Sequence, residues 1–294
     1  MTNTVLILGQ SGKIGSHAAR AFKAAGWNVR TYKRGTDMNA AAQGADIIVN
    51  GLNPPMYQKW EINIPLITNQ VIAAAKSSGA SLIVPGNVYN FGNRPGVWDE
   101  NTPQQADTKK GKIRIAMEKT YKNSGVQTIL LRAGNFIDPD GNGDVFTVGL
   151  LRNINKNRVT IMGRKDVPQA YCYVPDWARA AVMLAEKRKD LAQFEDIPFP
   201  GHTFTLVELK DMLETQMGRS LKFDNFPWWV MQTLKPFWAL AGELLEMRYL
   251  WNLGHQLSGQ KFHGLLPDFV ETPIEQVVAC GIPTATASGK IITA

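Results

Sequence analysis

The chain opens on an apolar run, Thr4–Leu8, that ends at Gly9 and gives way to a segment whose apolar residues Ile14, Ala18, Ala21, Phe22 and Ala25 recur on one helical face. Short apolar runs return at 27–32, 45–52, 81–85 and 127–132 and read as strands. Helical patterns lie between them, chiefly 62–78 and 108–124, the second stopped by Gly125. Strands and helices in regular alternation predict a Rossmann-like α/β fold, a doubly wound parallel sheet. Right-handed crossovers would collect the carboxyl ends of the strands on one edge. A ligand site is therefore expected around 9–12, 51–55, 86–92 and 133–136.

Beyond Phe136 the alternation weakens. Asp138-Pro139-Asp140-Gly141-Asn142-Gly143 marks a loop, 145–155 a helix, and 171–174 a return to the sheet. A helix over 176–187 is expected with Asp176 as its N-cap, and another over 205–217 with Thr205 as cap and Glu208 completing a capping box. These patterns divide the chain into a dinucleotide-binding domain over 1–145, with 170–198 returning to it, and a smaller, mostly helical C-terminal substrate lobe over 146–169 and 199–294. The stretch 226–245 is interrupted by Pro227, Lys235, Pro236 and Glu243, too often for a membrane span, and reads as buried or lining a pocket, with an interfacial helix as the alternative. Trp228, Trp229, Trp238 and Trp251 read as lobe core. The Pro- and Gly-punctuated tail is expected to be loosely ordered at its end.

An apolar fraction of 44% over 294 residues, without low-complexity segments, excludes a disordered chain. Cys172 and Cys280 form no C-x-x-C pair and no histidines stand at metal-ligand spacing, so neither a disulfide scaffold nor a metal site is expected. His17, His202, His255 and His263 have no serine or cysteine partner at a recognisable spacing, which argues against a hydrolase triad. The first strand begins at once, leaving no room for a secretory signal, and a reduced, cytoplasmic location is expected. The net charge of +7 is spread along the chain. It suits anionic cofactor phosphates better than nucleic acid. A small-molecule substrate is expected, with neither nucleic acid nor membrane as partner, for a monomer or homodimer.

The candidate chemistry begins at Gly9-x-x-Gly12-x-x-Gly15. Gly9 allows the tight exit from the strand, Gly12 a close approach to a pyrophosphate, and Gly15 close packing of helix on sheet, with the first helical N–H groups facing the phosphates. Cofactor contacts are expected from Gly9, Ser11, Gly12, Lys13, Ile14 and Gly15, from Leu52, Asn53 and Pro54, and from Gly86, Ala133, Asn135 and Phe136. An NAD site places an acid near the end of the second strand. Here that end reads Val29-Arg30-Thr31-Tyr32-Lys33-Arg34-Gly35, and the cationic Lys33 and Arg34 suit a 2′-phosphate. NADP(H) is expected in preference to NAD(H).

With Asn87-Val88-Tyr89-Asn90-Phe91-Gly92, Leu131-Arg132-Ala133-Gly134-Asn135-Phe136 and Tyr173-Val174-Pro175-Asp176 added to that turn, the chain resembles the short-chain dehydrogenase/reductase superfamily in its extended or atypical branch, the NAD-dependent epimerase/dehydratase family. The stretch Glu246-Met247-Arg248-Tyr249-Leu250-Trp251 is similar to a group of bacterial relatives. The family's catalytic set is a Ser after the fourth strand and a Tyr-x-x-x-Lys on the next helix. Here Asn87 stands in the serine's place, and alignment through Glu118 puts Lys110 and Arg114 where Tyr and Lys would be. The window Lys110-x-x-Ile113-Arg114-x-x-x-Glu118 is similar to the isoflavone reductase-like atypical enzymes, which use a lysine for proton transfer together with NADPH. That resemblance implies a partly buried Lys110 of lowered pKa exchanging a proton, while Asn87 or Tyr89 hydrogen-bonds the reacting oxygen. It implies an NADP(H)-dependent oxidoreductase acting on a small carbonyl or hydroxyl compound. A sugar-nucleotide epimerase or dehydratase and a non-catalytic NADP(H)-binding redox sensor are the alternatives.

Overall fold

A computed structural model describes residues 2–57, 59–141 and 143–283. The end of the predicted tail, 284–294, lies outside the described residues, as does Asn142 of the predicted loop. Six strands form one parallel sheet: β1 (Thr4–Leu8), β2 (Asn28–Thr31), β3 (Ile47–Asn50), β4 (Ser81–Gly86), β5 (Thr128–Arg132) and β6 (Phe194–Pro198), in the order β6-β5-β4-β3-β1-β2. The central strands carry continuous apolar runs because both faces are covered. Alternate residues divide between two cores. Val5, Ile7, Ile47, Val49, Ile83 and Ile129 pack toward α1 (Lys13–Ala24) and α5 (Val174–Glu186). Leu6, Leu8, Ile48, Leu82, Val84 and Leu130 pack with α2 (Met38–Ala42), α3 (Trp60–Ser78) and α4 (Lys109–Lys122) on the other side. The order of connection reverses between β1 and β3, which opens a crevice at their carboxyl ends.

A further core is built from Phe146, Leu150, Val159 and Tyr171 together with α6 (Leu206–Met217), α7 (Trp228–Leu234), α8 (Ala239–Glu246) and a later helix, α10 (Ile274–Ala279). The predicted capping box is present: Thr205 Oγ1 accepts from Glu208 N at 3.1 Å, and Glu208 accepts from Thr205 N at 2.7 Å.

Several expectations are corrected. The strand read at 171–174 spans Gln169–Tyr173 and belongs to a separate three-stranded sheet with Asn135–Ile137 and His202–Phe204; β6 is the strand that rejoins the main sheet. The helix read at 145–155 is a π turn, Phe146–Leu150, followed by a 3-10 turn, Ile154–Lys156. Asn153, Asn155 and Asn157 favour turns there, and Asn157 takes a left-handed φ of 55°. Asp176 is not the cap of α5, which begins at Val174; its carboxylate accepts from Thr272 N and Oγ1, both at 2.7 Å, and ties α5 to the chain's last segment. Ala25 ends α1 exposed to solvent. The short helix α9 (Gln260–Leu265), read as part of the lobe, sends Phe262 into the core beside α5, where its ring meets Phe199 edge-on at 5.2 Å. Trp228 is buried as expected, but Trp229 and Trp238 are exposed, because α7 and α8 are short and turn only one face to the lobe.

Candidate dinucleotide and substrate site

The turn after β1 has the geometry its glycines imply. Gly9 adopts a φ of +75°, and Gly12 N donates to its carbonyl at 3.0 Å. A Cβ at Gly15 would lie 2.1 Å from the Gly9 oxygen, and one at Gly51 2.7 Å from the Leu8 oxygen. Helix start and strand ends thus meet backbone against backbone. Gly12 caps α1 with no side-chain hydrogen bond, leaving the helix entry open to an acceptor from outside. Ser11 is exposed at this lip, while Ile14 turns its side chain into the core and offers only its backbone.

At the end of β2 the Lys33 and Arg34 side chains are exposed, and neither forms an ion pair among the described residues. Thr36 closes the turn onto the Lys33 carbonyl (Oγ1 at 2.7 Å), and Tyr32 Oη donates to the Thr36 carbonyl at 2.9 Å. The nearby carboxylate, Asp37, caps α2 by accepting from Asn39 N at 2.8 Å.

After β3, Leu52 N donates to Asn50 Oδ1 at 3.1 Å, Pro54 is buried, and the exposed Asn53 accepts from Arg114 Nη2 at 3.1 Å. Met56, Tyr57 and Lys59 follow with φ of 49°, 59° and 46°, a left-handed cluster uncommon for side-chain-bearing residues.

The ends of β4 and β5 are held by a group whose role the sequence reading missed. Arg132, fully buried, donates to Asn87 O at 2.6 Å, to both Glu118 oxygens (3.1 and 2.7 Å) and to both Asp196 oxygens (3.2 and 2.6 Å). Burial alone would lower its pKa, but the two carboxylates outweigh that and raise it. An arginine inside the apolar strand Leu130-Leu131-Arg132 was the available signal. Beside it, Ala133 N donates to Gly86 O at 3.1 Å, and Asn135 and Phe136 stand half-buried on the small sheet.

Asn87 uses its Oδ1 to accept from Tyr89 N at 3.1 Å, leaving its amide Nδ2 free among the described residues. Burial, followed by the neighbouring Tyr57 phenol, pushes the Tyr89 hydroxyl well above its ordinary value, so Tyr89 is a neutral hydrogen-bonding phenol. Arg114 stacks over Trp60 at 4.6 Å, and burial holds its pKa below the usual value. Lys110 departs from expectation. It is only 2% exposed, not partly buried, held by α8 and lying over the Tyr57 ring at 4.9 Å. Its Nζ donates to Glu246 Oε2 at 2.7 Å, to Glu243 O at 3.2 Å and to the Glu243 carboxylate, while its backbone N donates to Glu246 Oε1 at 2.9 Å. Burial raises the Glu246 carboxyl, but the Lys110 ammonium and backbone N–H outweigh this and leave it below its ordinary 4.5.

His17, Asp138 and Asp140 also come together, at 2.8 and 3.5 Å from the imidazole. Arg20 reaches both His17 and Asp140, at 2.8 and 2.5 Å, and so supplies the positive charge of this group itself. A groove of about 590 Å³ between α3 and α4, lined by Ile64, Thr68, Ile113 and Met117, shares no lining residue with the strand ends.

No protein-family model matches the chain, and no curated protein matches it in sequence. Solved structures do match over nearly its whole length. MoeE5 in complex with UDP-glucose and NAD superposes with a TM-score of 0.74 at 15% identity, covering 95% of this chain and 97% of that one. UDP-glucuronic acid 4-epimerase from Bacillus cereus, in complex with UDP-glucuronic acid and NAD, gives 0.73 at 16% over 95% and 97%. TunA, an NAD-dependent NDP-hexosamine 5,6-dehydratase, gives 0.70 at 14% over 95% and 96%. The chain has the fold of the nucleotide-sugar epimerases and dehydratases. At such identities the likeness is one of fold, and function must be argued from the residues above.

Proposed function

We propose that this protein is a nicotinamide-dinucleotide-dependent oxidoreductase of the epimerase/dehydratase fold that takes NADP(H) in preference to NAD(H) and reduces a small carbonyl compound, or oxidises the corresponding alcohol, in the reduced cytoplasm. The observation that carries the cofactor choice is the end of β2, where two exposed cations stand without an ion pair among the described residues and the next acid along the chain, Asp37, is engaged as a helix cap. The residues at the strand ends fit a dinucleotide: Gly9, Ser11, Gly12, Lys13, Ile14 and Gly15 would hold the pyrophosphate, Lys33 and Arg34 the 2′-phosphate, and Leu52, Asn53, Pro54, Gly86, Ala133, Asn135 and Phe136 the remainder. Residues 1–145 and 170–198 would form the cofactor domain, and 146–169 with the chain from 199 the substrate lobe.

Bound there, NADPH supplies a hydride. Asn87, through its free Nδ2, and Tyr89, as a neutral phenol, would hydrogen-bond the substrate oxygen. Lys110 would give that oxygen a proton and regain one through Glu246, which is partly open to solvent. The substrate would displace the longest of the Nζ contacts, that to the Glu243 carbonyl.

Fluorescence titration with NADPH and NADH tests the reading. We expect NADPH to bind more tightly, and Arg34→Ala to weaken NADPH about ten-fold while sparing NADH, the measure of a lost charge-assisted bidentate contact. Equal affinities in the wild type would remove the NADP(H) assignment, and binding of neither would remove the oxidoreductase. A second reading, a nucleotide-sugar epimerase or dehydratase, is favoured by the full-length likeness to MoeE5 and its fellows. It would interconvert nucleotide sugars without net consumption of cofactor. Tight cofactor binding with no turnover of carbonyls or nucleotide sugars would favour the sensor.

A further inference from the structure

The turn between α7 and α8 departs from the rule that a soluble domain covers its large apolar side chains. Every residue from Gln232 to Ala239 is exposed. Trp229 is 69% exposed, Phe237 88%, Trp238 41% and Leu234 37%. The turn itself is closed. Lys235 N donates to Met231 O at 3.0 Å, and Phe237 N and Trp238 N donate to Leu234 O at 2.9 and 2.8 Å. Its inner side is anchored by Trp228, whose indole N–H donates to Met162 O at 2.7 Å, and by the buried Met231 and Ala241. An ordered backbone thus holds aromatic rings out into water, an arrangement that marks an interaction surface.

Charge and area select the partner. Between Pro227 and Gly242 the one charged residue is Lys235, in the middle of the turn, on a chain of net charge +7. Three rings of about 150–250 Å² each, at these exposures, offer roughly 400 Å². That is about half of the ~800 Å² per partner that a stable protein–protein interface buries. Tryptophan and phenylalanine around a lysine, without an acid, are the residues that settle at the boundary of a bilayer, rings among the headgroups and ammonium toward lipid phosphate. We propose that the α7–α8 turn is a docking surface for an anionic lipid bilayer. The sequence reading excluded a membrane span and kept an interfacial helix over 226–245 only as its lesser alternative, and among the described residues no helix is long and apolar enough to span a bilayer. Peripheral docking needs no span.

The test is co-sedimentation of the full chain with vesicles of phosphatidylcholine alone, or of three parts phosphatidylcholine to one part phosphatidylglycerol, at low and high salt. We expect binding to the anionic vesicles, weakened by salt. Phe237→Ser with Trp229→Ser should reduce it at least about ten-fold, and Lys235→Glu severalfold at low salt. Circular dichroism of each variant, and the single Phe237→Ser change, guard against a folding defect. Wild-type protein that ignores both vesicle types, or a double variant that sediments as the wild type does, overturns the proposal. So does a wild-type dimer in analytical ultracentrifugation that the double variant loses, since a second copy would then cover the turn.

Discussion

Gly12 and Gly15 sit three residues apart in one turn, and the space around them separates a binding role from a packing role. At Gly15 an added methyl would meet the Gly9 carbonyl at 2.1 Å, backbone that cannot yield without opening the turn; at Gly12 the nearest atom is 3.4 Å away, an ordinary contact. Gly15→Ala is expected to lose about 1–3 kcal/mol of stability, as other overpacked sites do. Gly12→Ala should change stability by less than about 0.5 kcal/mol. It should nonetheless weaken NADPH binding about ten-fold, because its methyl would stand where a pyrophosphate approaches. Urea midpoints and NADPH titrations of the two variants check this, and equal loss of stability in both would refute the separation of roles. His255 gives a pH-dependent prediction. Stacked on Trp98 at 4.6 Å and bonded through Nδ1 to Leu253 O at 3.0 Å, it is depressed by burial from 6.5 to about 4. The unfolded chain therefore takes the proton first, and stability present above pH 6.5 is lost as pH falls toward 4. The full effect is on the order of 3 kcal/mol. Urea unfolding at stepped pH should show this slope in the wild type and a flatter one in His255→Phe.

Local pattern revealed the elements that local chemistry decides. The β1 turn, the central strands and the Thr205 capping box could all be read from the chain, because each is written within a few consecutive residues. The clasp between α4 and α8 could not: Lys110 and Glu246 lie on opposite sides of the fold's connectivity, and a lysine run at a helix start ordinarily points to solvent. Its neighbours Lys109 and Lys112 do so here. The short helices α7 and α8 were misread for a similar reason, since composition alone does not tell which face of a tryptophan-rich segment the lobe covers. Lys110→Met should leave two carboxylates facing each other beneath α8 and lower stability by about 3 kcal/mol, the loss seen when one partner of a buried pair is removed. Glu246→Gln should cost less, since Glu243 still holds the amine, and in the double variant the losses should fall short of additive by about 1–3 kcal/mol. The Glu246 contribution is present above pH 4.5 and lost as pH falls through its depressed folded value. Additive losses would mean that the clasp does not hold α8.

Across the whole molecule, the two parts expected from the sequence are fastened at several places, among them the Lys110 clasp, the Asp176 bonds to Thr272, the stack of Trp98 on His255, and Phe262 set into the core beside α5. Each crosses the boundary drawn from the sequence, and together they leave little that could unfold alone. A dinucleotide at the β1–β3 crevice should therefore stabilise both parts as one. At a hundred times its dissociation constant, a ligand bound only by the folded state adds about 2.7 kcal/mol. For a chain of this size that corresponds to a rise in melting temperature of roughly 4–5 °C. Scanning calorimetry with NADPH should show one transition that moves as a unit, and the same experiment on Arg34→Ala should show a smaller shift at equal NADPH. Two transitions, of which only the lower or only the upper moves, would mean that these fastenings do not couple the lobe to the cofactor. The lobe's hold on Lys110 would then be independent of the occupancy of the crevice, and a proton path through Glu246 would lose its structural basis. A single shifted transition that splits in Lys110→Met would identify the clasp as the coupling element.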